Sequence, residues 1–324
     1  MKKVLVTGGA GYIGSIVCRI LLEKGYYVRV IDILRYGGET IINLLNHDNF
    51  EFIKGDVRKA NDRKNALEGI DYVVHLAAIV GDPACRNEPN LAKETNLKSS
   101  VELYKTANNL GVEKFIFAST CSNYGKMDNS EEYVNEQSKL APISLYAETK
   151  VEVEKYLLGQ DTDNTCKPTV LRFSTVYGLS PRIRFDLTVN EFTKELALKR
   201  ELVVFGEQFW RPYCHVEDLA RSVIFVLDKK DTTTDFNVYN VGETTENYQK
   251  QMIVEEIKKQ IPDAKIKYVK KDEDPRDYKV NFEKIKKELG FQIKKRLPDG
   301  VAQVKKIIED QFLEDPDNMK YRNS

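Results

Sequence analysis

Short apolar runs recur along the first half of the chain, and most are followed by a longer stretch whose apolar positions fall three and four apart. The runs are Lys3–Thr7, Val28–Asp32, Phe50–Lys54, Tyr72–His75, Lys114–Ser119 and Thr169–Phe173. Apolar runs of this length form strands, and the three-and-four spacing marks one face of a helix. Phe115-Ile116-Phe117-Ala118 is apolar on both faces, as suits a strand covered by helices above and below. The alternation predicts an α/β protein with a doubly wound parallel sheet. Ligands of such sheets sit at the carboxyl ends of the strands, so the residues that follow each run are the ones to read for chemistry.

The first run meets Thr7-Gly8-Gly9-Ala10-Gly11-Tyr12-Ile13-Gly14 and then a helix-like stretch containing Ile16, Val17, Ile20 and Leu21. Strand, tight turn and helix together aim a helix N-terminus at a phosphate. Gly8 permits the sharp turn, Gly11 lets backbone approach a pyrophosphate, and Gly14 lets the helix pack close to the sheet. Tyr12 and Ile13, between them, are expected to contact the same ligand. The second run ends in Asp32, 18 residues beyond Gly14. An acidic residue there grips the adenosine ribose hydroxyls of a dinucleotide. It would also repel a 2′-phosphate, which favours NAD over NADP; Arg35 is the one neighbour that pulls the other way.

Asp56, in Gly55-Asp56-Val57 after the third run, either bonds an adenine amino group, with Val57 beside it, or caps a turn. After the fourth run, Leu76, Ala77 and Ala78 let backbone pass close to a flat cofactor, while His75 reads first as a core histidine. Asn96 either anchors neighbouring backbone or is solvated. The fifth run delivers Ser119-Thr120-Cys121-Ser122, a cluster of hydroxyls and a thiol at a strand end. In Tyr146-Ala147-Glu148-Thr149-Lys150 an ammonium stands one helical turn from a phenol. A cation that close favours the phenolate, so Tyr146 is a candidate general base.

Composition narrows the function classes. The chain has 324 residues, 41% of them hydrophobic, enough for a well-buried core. Fifty basic residues balance fifty acidic ones, so no global field draws the protein to nucleic acid or an anionic membrane. No stretch approaches the length of a membrane span, and the first strand begins directly after Met1-Lys2-Lys3, which argues against a signal peptide. Five scattered cysteines and three histidines fit neither a disulfide framework nor a metal site. The expectation is a cytoplasmic protein with reduced thiols.

Taken in order, these motifs resemble the extended short-chain dehydrogenase/reductases, and among them the NAD-dependent nucleotide-sugar epimerases and dehydratases. The resemblance covers about residues 2–295. It implies a Rossmann-type cofactor domain, here about 1–175 with a stretch near 212–242 packing back onto it. A smaller α/β substrate domain, 176–324, would follow, ending in a frayed polar tail over Glu314–Ser324. It further implies NAD as cofactor, a nucleotide-diphosphate sugar as substrate, and a homodimer through helices near 96–110 and 146–158. Tyr146 becomes the base and Thr120 the hydroxyl that bonds the reacting sugar oxygen. Lys150 holds the ribose and lowers the tyrosine pKa.

The resemblance also assigns substrate contacts to Thr175, where an Asn is common, and to Asn190 and Arg211 on the diphosphate. Val203 and Phe205 would line the base pocket, and Arg276 is a second diphosphate candidate. Cys121 and Ser122 stand where the 4,6-dehydratases of the family carry an Asp-Glu pair, which disfavours that reaction; Cys121 reads as a packed residue. The leading expectation is a 4-epimerase that starts with oxidation at the sugar C4. A net C4 dehydrogenase or 4-keto reductase is the rival, and a non-catalytic NAD sensor is the reading from another class.

Overall fold

The computed structural model describes residues 1–126, 132–270 and 276–323. Six strands stand where the apolar runs put them, with ends shifted by no more than two residues. They are β1 (Lys3–Thr7), β2 (Tyr27–Asp32), β3 (Phe50–Lys54), β4 (Tyr72–His75), β5 (Lys114–Thr120) and β6 (Lys167–Phe173). Among the described residues six further strands follow: β7 (Thr175–Tyr177), β8 (Glu201–Phe205), β9 (Trp210–His215), β10 (Asn237–Val241), β11 (Asn247–Gln249) and β12 (Lys265–Val269).

The main sheet has seven strands in the order β10-β6-β5-β4-β1-β2-β3, all parallel. Alternate side chains feed two layers. Val4, Val6, Val28 and Val30 pack with Val17 and Leu21 of helix Gly14–Glu23 and with Leu219 and Val223 of helix Val216–Asp228. Leu5, Ile31, Val73, Phe115 and Phe117 pack on the opposite face with Leu103 of helix Ser99–Asn109 and Val153 of helix Leu145–Leu158. Each fully buried side chain of this size contributes roughly 1.5–3 kcal/mol. Strand order reverses between β1 and β4, so the carboxyl ends splay apart there and open a crevice.

The later chain builds a second layer of structure at that edge. β11, β9 and β7 form one small sheet, and β12 pairs with β8 in another. Helices Thr188–Ala197, Lys250–Gln260 and Leu297–Glu309 close over them around Phe192, Leu196, Ile253, Ile257 and Val301. Asp218 accepts the backbone N–H groups of Lys294 and Lys295, a structural role.

The tail corrects the expectation of fraying. Asp317 pairs with the buried Lys194 and with Arg200, Phe185 N–H donates to the Tyr321 carbonyl at 2.8 Å, and Tyr321 stands edge-on to Phe185. Its polar composition concealed partners that lie 117–140 residues earlier in sequence.

Inside the sheet, Glu154 of helix Leu145–Leu158 is 1% exposed and accepts hydrogen bonds from Ser119, Asn123 and Arg172. Arg172 also donates to Tyr124 Oη at 2.9 Å. Removing one member of a buried ion pair strands the other charge. Glu154→Gln should therefore lower stability by about 3–5 kcal/mol, read from denaturant unfolding.

Candidate active site

A cavity of about 680 Å³ fills the crevice between β1 and β4 and runs across the carboxyl ends of the main sheet. At one end lies the glycine turn. Gly8 has φ +73°, and a Cβ there would meet Ala77 N at 2.8 Å; a Cβ on Gly14 would stand 2.2 Å from the Gly8 carbonyl oxygen. Glycine is therefore required at both positions by close backbone approach. The helix that begins at Gly14 has no side-chain cap and no acid in its first turn. Ser15, Ile16 and Val17 N–H already bond the Gly11 and Ile13 carbonyls, so the N–H groups open to a ligand lie ahead of Ser15. Gly11, Tyr12 and Ile13 line the same end.

Asp32 borders the cavity with its two oxygens accepting Ala10 N–H at 3.1 Å and Leu34 N–H at 2.8 Å. Burial raises its pKa, and these N–H groups oppose the rise. Arg35 pairs with Glu88, so its charge is spent there. Asp56 and Val57 line the next stretch; the Arg58 guanidinium beside Asp56 holds its carboxyl below the usual range. Leu76, Ala77 and Ala78 form one wall. Thr7 Oγ1 fixes that wall by accepting Ala77 N–H at 3.2 Å and bonding His75 Nδ1 at 2.7 Å. His75 Nε2 meets Ser100 Oγ, and burial pushes its pKa down to about 3, so it is a neutral core histidine.

Thr120, Tyr146 and Lys150 come together at the carboxyl end of β5. Thr120 Oγ1 accepts Ser122 N–H at 3.1 Å, which leaves its hydrogen to donate. Ser144 caps the helix that carries the other two. Lys150 Nζ donates to the Ala118 carbonyl at 2.7 Å and stands 5.9 Å from the centre of the Tyr146 ring. The expected lowering of the Tyr146 pKa by Lys150 is not what the protein alone shows. Burial raises the phenol, Cys85 and Asp82 raise it further, and the cation that opposes them is Arg184. Burial also brings Lys150 down to about 8, which weakens it as a charge.

Among the residues assigned to substrate, Thr175 and Arg276 line the cavity. Arg276 pairs with Asp82 at 3.0 Å across the mouth. Five other assigned residues do not line this cavity. Asn96 anchors backbone, one of its two sequence readings, and does not line the cavity as a cofactor contact would: its amide clamps both backbone groups of Ile79. Asn190 is fully buried, accepting Gly178 N–H and donating to the Gly178 and Arg184 carbonyls. Its helix turns it inward, and Thr188 faces the cavity instead. Arg211 lies outside the cavity, over the Tyr278 ring and donating to the Trp210 carbonyl. Val203 and Phe205 line a separate hollow of about 420 Å³, which meets the main cavity at Thr188.

Asp82, Arg184, Asp186, Leu187 and Thr188 also line the cavity and were not assigned. The alternation of charges in Arg182-Ile183-Arg184-Phe185-Asp186 was the available signal. Cys121 is buried, with Sγ on the Arg172 carbonyl at 3.3 Å. Among the described residues no His, Cys, Asp and Glu cluster could hold a metal, and no helix is long and apolar enough to cross a membrane.

Comparison with known proteins agrees with this geometry. The profile of the NAD dependent epimerase/dehydratase family matches residues 4–242, and the chain belongs to that family. Within it, the chain is 33% identical over 237 residues to an uncharacterized UDP-glucose epimerase of Bacillus subtilis, covering 70% of this chain and 73% of that one. It is 29% identical to the UDP-glucose 4-epimerase of the same organism, covering 92% and 94%. The crystal structure of UDP-glucuronic acid 4-epimerase from Bacillus cereus, in complex with UDP-glucuronic acid and NAD, superposes with a TM-score of 0.83 at 26% identity, covering 96% and 100%.

The placement of Asn190 has a measurable consequence. Asn190→Ala leaves buried backbone groups without partners and should cost about 2–3 kcal/mol in denaturant unfolding. A direct phosphate ligand would instead raise KM at unchanged stability.

Proposed function

We propose that the protein is an NAD-dependent 4-epimerase of nucleotide sugars, with UDP as the nucleotide. The observation that carries the reading is the convergence of Thr120, Tyr146 and Lys150 beside the glycine turn and Asp32, in one cavity. The names of the relatives support the reaction and the nucleotide. Bound NAD would supply a hydride acceptor that is regenerated each turnover, which makes the reaction an isomerisation without net oxidation. Asp32 would hold the adenosine ribose, the Gly11–Gly14 backbone the pyrophosphate, and Lys150 the nicotinamide ribose.

Tyr146 acts as the base for the C4 hydroxyl. Its raised pKa means that the phenolate must be stabilised by charge brought in or held nearby, and Arg184 is the resident contributor. Thr120 donates its free hydroxyl hydrogen to the same sugar oxygen. After the 4-keto sugar turns in the site, Tyr146 returns the proton to the C4 oxygen, and the hydride would come back to the opposite face of C4. Cys121, turned onto the Arg172 carbonyl, supplies no acid for expelling water, which supports epimerisation over 4,6-dehydration. Thr175 would contact the sugar, and Arg276 would exchange Asp82 for the diphosphate. The hollow at Val203 and Phe205 would take the base.

The cofactor half comprises 1–175 with 212–242, and the substrate half is the remainder. Support comes from β10, which joins the main sheet beside β6, and from helix Val216–Asp228, which packs on the first helix. A homodimer would use helices Ser99–Asn109 and Leu145–Leu158 with the turn before them, where Leu97, Tyr156 and Leu158 are only partly buried. Five buried, unpaired cysteines suit the reducing cytoplasm.

Tyr146→Phe should lower turnover with UDP-glucose or UDP-glucuronic acid by roughly a hundredfold or more while bound NAD is unchanged. Near-normal turnover would remove Tyr146 as base. In the wild type, absorbance at ~340 nm should rise transiently and fall again as the isomeric sugar forms. A lasting rise with a 4-keto product would identify a net dehydrogenase.

A further inference from the structure

Arg182 is a buried cation in the dinucleotide cavity that no carboxylate among the described residues pairs with. Only 6% of it is exposed, it lines the cavity, and its Nε has no hydrogen-bond partner. Its guanidinium lies 3.7 Å from the centre of the Tyr36 ring, and one terminal nitrogen donates to the Arg322 carbonyl at 3.2 Å. Asp186 and Asp32 are the carboxylates within electrostatic reach. Asp186 is committed to Arg184 by two hydrogen bonds, and Asp32 to the backbone of Ala10 and Leu34. A buried charge is costly without a counter-ion. Arginine's planar fork matches phosphate oxygens.

The side chain is held in place by the carboxyl-terminal tail. Tyr36 Oη donates to the Asn323 carbonyl at 3.3 Å, and Asn323 N–H donates to Asp186 Oδ2 at 3.4 Å. Asn323 itself lines the cavity. Farther back, Lys194 and Arg200 fasten the tail at Asp317 with contacts of 2.6 and 2.7 Å.

We propose that Arg182, stacked on Tyr36 and held by the tail, binds the adenosine-side phosphate of NAD. Its electrostatic reach to Asp32 puts it at the adenosine end, whereas Arg184 acts on Tyr146. Cofactor retention then depends on residues 317–323 as well as on the glycine turn. The proposal rests on NAD as the cofactor and deepens it.

Calorimetric titration of the chain, residues 1–324, with NAD, ADP and adenosine tests it. Arg182→Met should weaken NAD and ADP by roughly tenfold to a hundredfold and leave adenosine unchanged. An equal loss for adenosine, or no loss for ADP, overturns the proposal while NAD binding by the wild type stands. A wild type that binds no NAD would sink the cofactor reading and this proposal with it. The thermal midpoint without ligand separates misfolding from lost contact. If Arg182→Met does not fold, Asp317→Asn gives the second measurement: it should speed NAD release severalfold in a trapping experiment, and an unchanged rate would overturn the tail's part.

Discussion

The carboxylate of Glu154 is the point on which the active site turns. It sits two turns along the same helix from Tyr146 and one turn from Lys150, and it is tied to the ends of two strands at once, through Ser119 on β5 and Arg172 on β6. Hydrogen bonds of that kind fix the rotation of a helix about its own axis, which apolar packing alone does loosely. With the rotation fixed, Tyr146 and Lys150 face the carboxyl end of β5, where Thr120 arrives on its own strand. Its members are buried, and Ser119 also borders the cavity, so the network reaches the site it positions.

The electrostatics of the site are set by burial rather than by the spacing of tyrosine and lysine. A phenol removed from water resists ionisation, and a buried lysine is itself easier to discharge. Tyr146 therefore depends on charges that arrive from other parts of the chain. Arg184 opposes the effect of burial, and Asp82 adds to it. Asp82 comes from the same half of the fold as Tyr146 and Arg184 from the other, so the base is tuned by tertiary structure.

Much of the fold was legible in the sequence. Strands of a parallel sheet buried on both faces are continuous apolar runs, and β1 to β6 are of that kind. β10 was harder to see, because Asn237 and Asn240 interrupt its pattern; Asn240 is accommodated by bonds to Tyr124 and Glu136. At the site, residues fixed by backbone geometry were readable: the glycine turn, Asp32 at a strand end, Thr120 at another. Residues whose role depends on which way a helix or loop turns were not. Asn190 carries an amide suited to a ligand, yet it faces inward and bonds backbone. Asn190 and Thr188 are two positions apart on one helix, about 200° around its axis, so an assignment displaced by two residues lands on the opposite face.

The place of β10 bears on how the protein is made. β6, a central strand of the finished sheet, is an open edge until residues 237–241 arrive to pair with it. An unpaired edge of Thr169, Val170 and Leu171 is a template for pairing with another chain. During synthesis the nascent domain carries that edge for the time taken to make 64 further residues, from 173 to 237. Folding also waits on contacts of long sequence separation, which form slowly. The yield of native protein is thus a contest between the ribosome's pace and self-association.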